Sequence, residues 1–297
     1  FLARDRAGIK PLYYYYDTKN FVFSSEIKSI KKLLPHKLNT NIESFYNYYY
    51  HRHIYEPGTI YQDITAQRSG SYIEFDLIKF SKTSKSYWDL KRKSEEQNEK
   101  LVIDRVDELL NLSVSEHLVS DVPISFALSG GLDSSLLVAI AKQYKNDIVG
   151  YTIKRNPNDI DWLYSKKISK YLKVRQKITE FNTIDVNGVD KKIYKIYDQP
   201  IGCSSIYSTY LLYKEIAKDF KVAISGDGGD EIFGGYLWYQ DFLDCKKPSF
   251  SILKNKNRIR KFLRHKFLFP KNDLYKYSKM MLNRFDKKEI EILFNIE

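Results

Sequence analysis

A chain of 297 residues is long enough for two domains of ordinary size, each with its own core. Its 43% hydrophobic content excludes general disorder, and no apolar run approaches the roughly 20 residues that a membrane-spanning helix requires. The net charge of +12 invites a nucleic-acid partner, but basic and acidic residues are interleaved along most of the chain; diffuse charge of this kind bears on solubility and association, not on a defined surface.

The part before residue 80 reads as β-rich. In "LYYYYDTKNFVFSS" two aromatic runs flank Asp17, Thr18, Lys19 and Asn20, which predicts a hairpin with a four-residue loop. "IESFYNYYYHRHIY" predicts a helix with Phe45, Tyr48 and Tyr49 close to one face. A second strand pair is expected near 71–75 and again approaching 87–88. The stretch "KRKSEEQNEK" at 91–100 is charged, lacks apolar residues and is expected to link two domains. Beyond it Val106, Leu109, Leu110, Val114 and Leu118 mark an amphipathic helix. Residues 124–128 form a short buried strand after Pro123, followed by a helix carrying Leu136, Leu137, Ile140 and Ala141 on one side. Then come a strand at 147–153, a helix at 164–172, a strand at 176–181, helices near 185–197 and 206–219, and a strand at 221–225. Strands alternating with helices predict an α/β fold, a parallel sheet covered on both faces. "KNKNRIRKFLRHK" (254–266) reads as a basic amphipathic helix packed on its own domain. Cys203 and Cys245 form neither a disulfide framework nor a C-x-x-C pair, which suits a reducing, cytoplasmic setting.

Two glycine-rich loops, "SGGLDSS" (129–135) and "SGDGGDEIFGGY" (225–236), fall at the carboxyl ends of predicted strands, where ligands of such sheets bind. Either alone could be an ordinary turn and helix start; two in one sheet should face a common crevice. Gly130 and Gly131 let backbone N–H groups approach an anion, Ser129, Ser134 and Ser135 add hydroxyl donors, and the helix that follows adds its dipole. With no G-x-x-x-x-G-K-[ST] and no G-x-G-x-x-G, neither γ-phosphoryl transfer nor a dinucleotide fold is supported, and a pyrophosphate leaving group fits better. Asp133 inside an anion site implies Mg²⁺ between the charges. In the second loop Asp230 is expected as a second magnesium ligand and Asp227 as a group near the reacting phosphate.

"LSGGLDSS" followed by "SGDGGDEIFGGY" resembles the synthetase domain of glutamine-dependent asparagine synthetases, members of the pyrophosphatase-loop ATP enzymes. "FLARDRAGIKPLYY", "FVFSSEIKSI", "HRHIYEPGTIYQDI" and "SYWDL" resemble the later half of that family's glutaminase domain and its run toward the linker. The resemblance implies part of an Ntn-type α+β glutaminase domain over 1–92, followed over 93–297 by a HUP-like α/β synthetase domain truncated at its C-terminus. It implies ATP-dependent amidation of a carboxylate through an acyl-adenylate, aspartate to asparagine, with ammonia from glutamine. On that mapping 129–134 hold pyrophosphate, Leu128, Ile153, Ser225 and Gly226 line the adenosine site, and Asp5 binds the glutamine amino group. The implied partners are small molecules, ATP with Mg²⁺, glutamine or ammonia, and aspartate or another carboxylate, with no nucleic acid, no membrane span and a homodimer left open.

Three departures bear on this. The chain as given begins beyond the family's N-terminal cysteine nucleophile, and it stops before a downstream catalytic lysine. Cys203 stands where many relatives carry an acid, which leaves a sugar uronic acid as the alternative acceptor. A tRNA-modifying enzyme and a non-catalytic ATP-binding remnant are the other classes to separate.

Overall fold

A computed structural model of the chain describes residues 1–91, 98–181, 186–203, 205–237 and 239. These fall into two units.

The first unit takes 1–91 and 191–203 of the described residues. Its elements are β1 (Leu2–Ala3), β2 (Tyr13–Tyr16), β3 (Phe21–Ser24), α1 (Ile27–Leu33), α2 (Ile42–His51), β4 (Ile64–Ala66), β5 (Ser71–Asp76) and β6 (Ser81–Ser86). They form two antiparallel sheets, β3-β2-β4 and β1-β5-β6. Tyr16 pairs with Phe21, so the expected four-residue loop closes the first hairpin. Asp17 holds that loop by accepting from the N–H groups of Lys19 (2.7 Å) and Asn20 (2.6 Å) and from the Tyr15 hydroxyl (2.7 Å), which the bond pushes up to about 12. Phe21 stacks on Phe75 at 4.3 Å, joining the two sheets. Ile27 and Ile30, spaced one helical turn apart, place α1 over Tyr15 and Ile64. The β-rich reading passed over that helix, although its i, i+3 isoleucines were visible.

The second unit takes 98–181, 186–190, 205–237 and 239. Its elements are α3 (Glu99–His117), β7 (Ile124–Ala127), α4 (Leu132–Tyr144), β8 (Val149–Lys154), α5 (Ile160–Leu172), β9 (Arg175–Glu180), then α6 (Val186–Ile196), which runs across the division, α7 (Ile206–Ile216), β10 (Val222–Ile224) and α8 (Gly229–Phe233). The sheet is parallel throughout, in the order β10-β7-β8-β9. Phe126, Leu128, Val138, Ile140 and Val114 fill a core with α3 and α4 on one face. On the other, Val149 and Tyr151 pack with Leu212 and Ile216 of α7. Burial on both faces matches the largely apolar β7 and the first half of β8, whereas β9, polar and largely exposed, borders them.

The stretch expected as a linker divides. Residues 92–97 lie outside the described residues, whereas Asn98 caps α3, accepting from the N–H groups of Lys100 (3.1 Å) and Leu101 (3.3 Å). The capping amide and Glu99 in the first turn start the helix before its apolar periodicity begins, so an apolar-pattern reading starts it too late. The basic segment 254–266 and Cys245 also lie outside the described residues. Among the described residues no helix is long and apolar enough to cross a membrane. Asn98→Ala is expected to lower unfolding stability by about 1 kcal/mol and Asn98→Asp to leave it nearly unchanged. Urea unfolding followed by far-UV circular dichroism checks this; equal midpoints for Asn98→Ala and wild type would return residues 98–100 to the linker.

Candidate nucleotide site

The site begins where β7 ends. Leu128 extends the pairing by donating its N–H to the Tyr151 carbonyl (2.8 Å) and accepting from the Thr152 hydroxyl (2.7 Å). The chain then turns sharply. Gly130 has φ +78°, and a Cβ there would overlap the backbone N of Ser165 and lie 2.7 Å from the Asp161 carbonyl oxygen, so the loop rests directly on the first turns of α5. Ser134 turns its hydroxyl back to the loop, accepting from the Ser129 N–H (3.2 Å) and lying 2.9 Å from the Ser129 hydroxyl. The residue capping α4 is Gly131, and no side chain supplies the cap bond. The first turn of α4 thus offers its N–H groups and the positive end of its dipole to a ligand.

The second loop follows β10, the neighbour of β7. Ser225 donates its hydroxyl to Asp227 (2.7 Å), and Gly228 takes φ +97°. A Cβ on Gly229 would sit 2.5 Å from the Asp133 carboxyl carbon, and one on Gly226 would sit 2.9 Å from the Ser134 backbone N. The two loops therefore interlock, and together they wall one cavity of about 420 Å³. Leu128, Ser129, Gly131, Asp133 and Ser134 line it from the first loop; Ser225, Gly226, Asp227 and Asp230 line it from the second, and Ile153 from the end of β8. Gly130 is turned away against α5.

Burial raises the Asp133 carboxyl above the usual range, and the carboxylates of Asp230 and Glu231 push it further. That crowding is what a cation between Asp133 and Asp230 would relieve. Among the described residues no three His, Cys, Asp or Glu side chains converge on a metal position. A two-carboxylate arrangement suits Mg²⁺, which keeps waters and takes phosphate oxygens for the rest of its shell.

Sequence reasoning missed part of the wall. Arg155 and Asp161 line the cavity beyond β8, and Ser205, Ser208 and Thr209 line it from the start of α7. Arg155 directly follows a strand end, as Ser129 does, and the three hydroxyls lie at i, i+3, i+4, so both signals were in the sequence. Asp5 belongs to the first unit. Its carboxylate accepts from the N–H groups of Ile9 (2.9 Å) and Lys10 (3.0 Å), which hold it below the usual range. The neighbouring buried Arg4 donates to the carbonyls of Gln67 (2.6 Å) and Gly8 (2.9 Å), fastening the same loop. Cys203 is exposed and also belongs to the first unit.

The asparagine synthase family matches residues 105–290, and the glutamine amidotransferase domain family matches residues 1–88. A Methanocaldococcus jannaschii protein provisionally named asparagine synthetase [glutamine-hydrolyzing] 2 is 34% identical over 80% of this chain and 47% of its own length. Asparagine synthetases [glutamine-hydrolyzing] 1 and 3 of Bacillus subtilis are 29% and 30% identical, over 82% and 80% of this chain and 38% and 41% of theirs. The chain thus spans less than half the length of these relatives. A glutamine-dependent NAD+ synthetase from Acinetobacter baumannii is similar in structure at a TM-score of 0.35 and 19% identity, over 60% of this chain and 32% of that one, too weak a likeness to carry an argument.

Two outcomes follow from the loops. Gly130→Ala combines left-handed backbone with overlap against α5 and is expected to cost more than the roughly 1–3 kcal/mol of backbone strain alone, whereas Gly228→Ala, with open space around its Cβ, should cost only that strain. Denaturant midpoints of the two variants check the order. For Asp133, a carboxyl raised above 3.8 on folding binds its proton more tightly when native, so it lowers stability as pH climbs through and beyond that value. Asp133→Asn should therefore melt higher than wild type at pH 7 in EDTA and equal to it near pH 3. Magnesium should raise the melting temperature of wild type alone.

Proposed function

The chain belongs to the asparagine synthase family, and from that footing we propose that its second unit uses ATP to activate a carboxylate, most simply that of aspartate, for amidation to asparagine by glutamine-derived ammonia. The observation that carries the reading is the interlock of the two loops around one cavity, with the first turn of α4 left uncapped by any side chain. The adenosine lies against Leu128, Ile153, Ser225 and Gly226. The pyrophosphate lies in 129–134, receiving N–H groups of α4 and the hydroxyls of Ser129 and Ser134. Asp133 and Asp230 would hold Mg²⁺, which supplies positive charge to the phosphates. Asp227, fixed by the Ser225 hydroxyl, stands beside the reacting α-phosphate. An acceptor carboxylate oxygen attacks the α-phosphorus, and the bond to pyrophosphate breaks. Ammonia then adds to the acyl carbon of the adenylate, and AMP leaves with the bonding pair.

Within the same reading, residues 1–92 derive from the glutaminase half and 93–297 from the synthetase half. Asp5 would meet the glutamine ammonium with the lone pairs that its loop amides leave over.

The test is pyrophosphate release from Mg-ATP, with ammonia and a panel of aspartate and uronic acids. Aspartate-dependent release is expected, with a loss of about 100-fold or more in Asp227→Ala if that carboxylate acts only in the transition state. Release with a uronic acid alone would replace the acceptor and make 198–206 the specificity segment. Absence of release with every acid, from protein that still binds ATP, would overturn the catalytic reading in favour of a nucleotide-binding remnant.

A further inference from the structure

Four carboxylates line the cavity, those of Asp133, Asp161, Asp227 and Asp230, and among the described residues Arg155 is the one basic side chain that does. A cavity this acidic repels a polyphosphate unless cations intervene. The Asp133–Asp230 pair has been assigned one. The guanidinium of Arg155 lines the same cavity and is bonded to Asp161, whose backbone lies against Gly130 of the first loop.

Arg155 is held from two directions, unequally. Asp159, whose side chain is 3% exposed, accepts from its Nε (3.0 Å), its Nη2 (3.0 Å) and its backbone N–H (2.9 Å), and also caps α5. This grip is not exchangeable, because release would strand a buried carboxylate. The second partner, Asp161, is bonded by Nη2, but here both side chains are about half exposed. An ion pair in such surroundings contributes at most about 1 kcal/mol and can be traded for a better one. None of these bonds uses Nη1. The backbone of Asp161 lies against Gly130, which puts the exchangeable pair directly beside the loop proposed to cradle pyrophosphate.

We infer that Arg155 is a phosphate-contacting residue of this site, which gives up Asp161 and donates to the outer phosphates when a nucleotide or pyrophosphate enters. Asp159 aims the guanidinium and keeps it in place, while Asp161 occupies the donor edge until the anion arrives. The inference rests on the nucleotide reading above and adds the terminal-phosphate contact to it. Arg155 neutralises the leaving group on the side that the magnesium carboxylates do not reach.

The two partners of the pair give the test its sign. Inorganic pyrophosphate and AMP are titrated separately into wild type, Arg155→Ala, Arg155→Lys and Asp161→Asn by calorimetry. Arg155→Ala should weaken pyrophosphate by about tenfold or more, the scale of one charge-assisted hydrogen bond, and leave AMP within about twofold. Arg155→Lys should recover part of that loss. Asp161→Asn removes the competitor and a repelling charge, so it should bind pyrophosphate several-fold more tightly, about threefold or above. A purely structural clamp predicts the reverse, with Asp161→Asn weakening both ligands as the wall loosens. Weaker pyrophosphate binding by Asp161→Asn, or unchanged binding by Arg155→Ala, overturns the assignment while wild-type binding keeps the nucleotide reading intact. Wild type that binds neither ligand overturns both.

Discussion

Gly229 lies so close to Asp133 that a Cβ on it would stand 2.5 Å from the Asp133 carboxyl carbon, and that side chain would have to move aside. Much of the second unit follows from that close approach. The loop after β10 can reach the loop after β7 because the two strands are neighbours in a parallel sheet, with Val222 opposite Ile124 and Ile224 opposite Phe126. Parallel pairing sends both chains out of the sheet on the same edge, so the two turns meet instead of lying at opposite ends. The meeting buries Asp133 and brings Asp230 and Glu231 close to it, and burial first, then those charges, raise its carboxyl. An isolated fold gains nothing from such crowding. A site built to hold a cation and an anion together has a use for it, which is the usual reason that strain of this kind persists.

The walls around that contact are stiffened by bonds placed just outside the cavity. Tyr151, fully buried on β8, donates its hydroxyl to Asp219 at 2.7 Å, and Lys177 on β9 reaches the same carboxylate at 2.7 Å. This ties the segment between α7 and β10 to two strands at once. Gln176 bridges the hydroxyls of Thr152 (2.8 Å) and Ser165 (2.9 Å), fastening α5 to the sheet behind the first loop. A buried polar network is costly if half satisfied, and in the one around Thr152 and Ser165 both hydroxyls have partners. The hydroxyls and carboxylates facing the cavity are thereby backed by bonds that tie β8, β9, α5 and the turn after α7 together, with Tyr151 itself part of the cavity wall.

Elements with strong periodicity were legible. The hairpin at 13–24, the strands of the parallel sheet and the helices between them follow from alternation and from apolar spacing that packing later respects. So did the placing of two glycine-rich loops at one crevice, because that needs only a parallel sheet and its carboxyl edge. What could not be read was which strand lies beside which. The order β10-β7-β8-β9 brings together residues nearly a hundred apart, and no local pattern encodes it. Arg155 is a different case: it directly follows the end of β8, but its pairing with Asp159 and Asp161 appears only once the turn into α5 is folded. Asp5 shows the two kinds of reading side by side. The resemblance assigned it a ligand, while physical chemistry first gives it the N–H groups of its own loop.

The strand that completes the cavity is also the slightest in its sheet. Among the described residues β10, three residues long, sits at the edge of the sheet and pairs with β7 alone, across the longest stretch of chain in it. Closing so long a loop costs more chain entropy than the β7–β8 pairing, which spans far fewer residues, so the second glycine loop is joined to the site by the pairing with the higher closure cost. An edge of three residues is equally the first to fray. A ligand touching both loops would then do more than occupy a pocket: it would staple a short edge strand to the sheet and protect the pairing that spans the widest gap in the sequence.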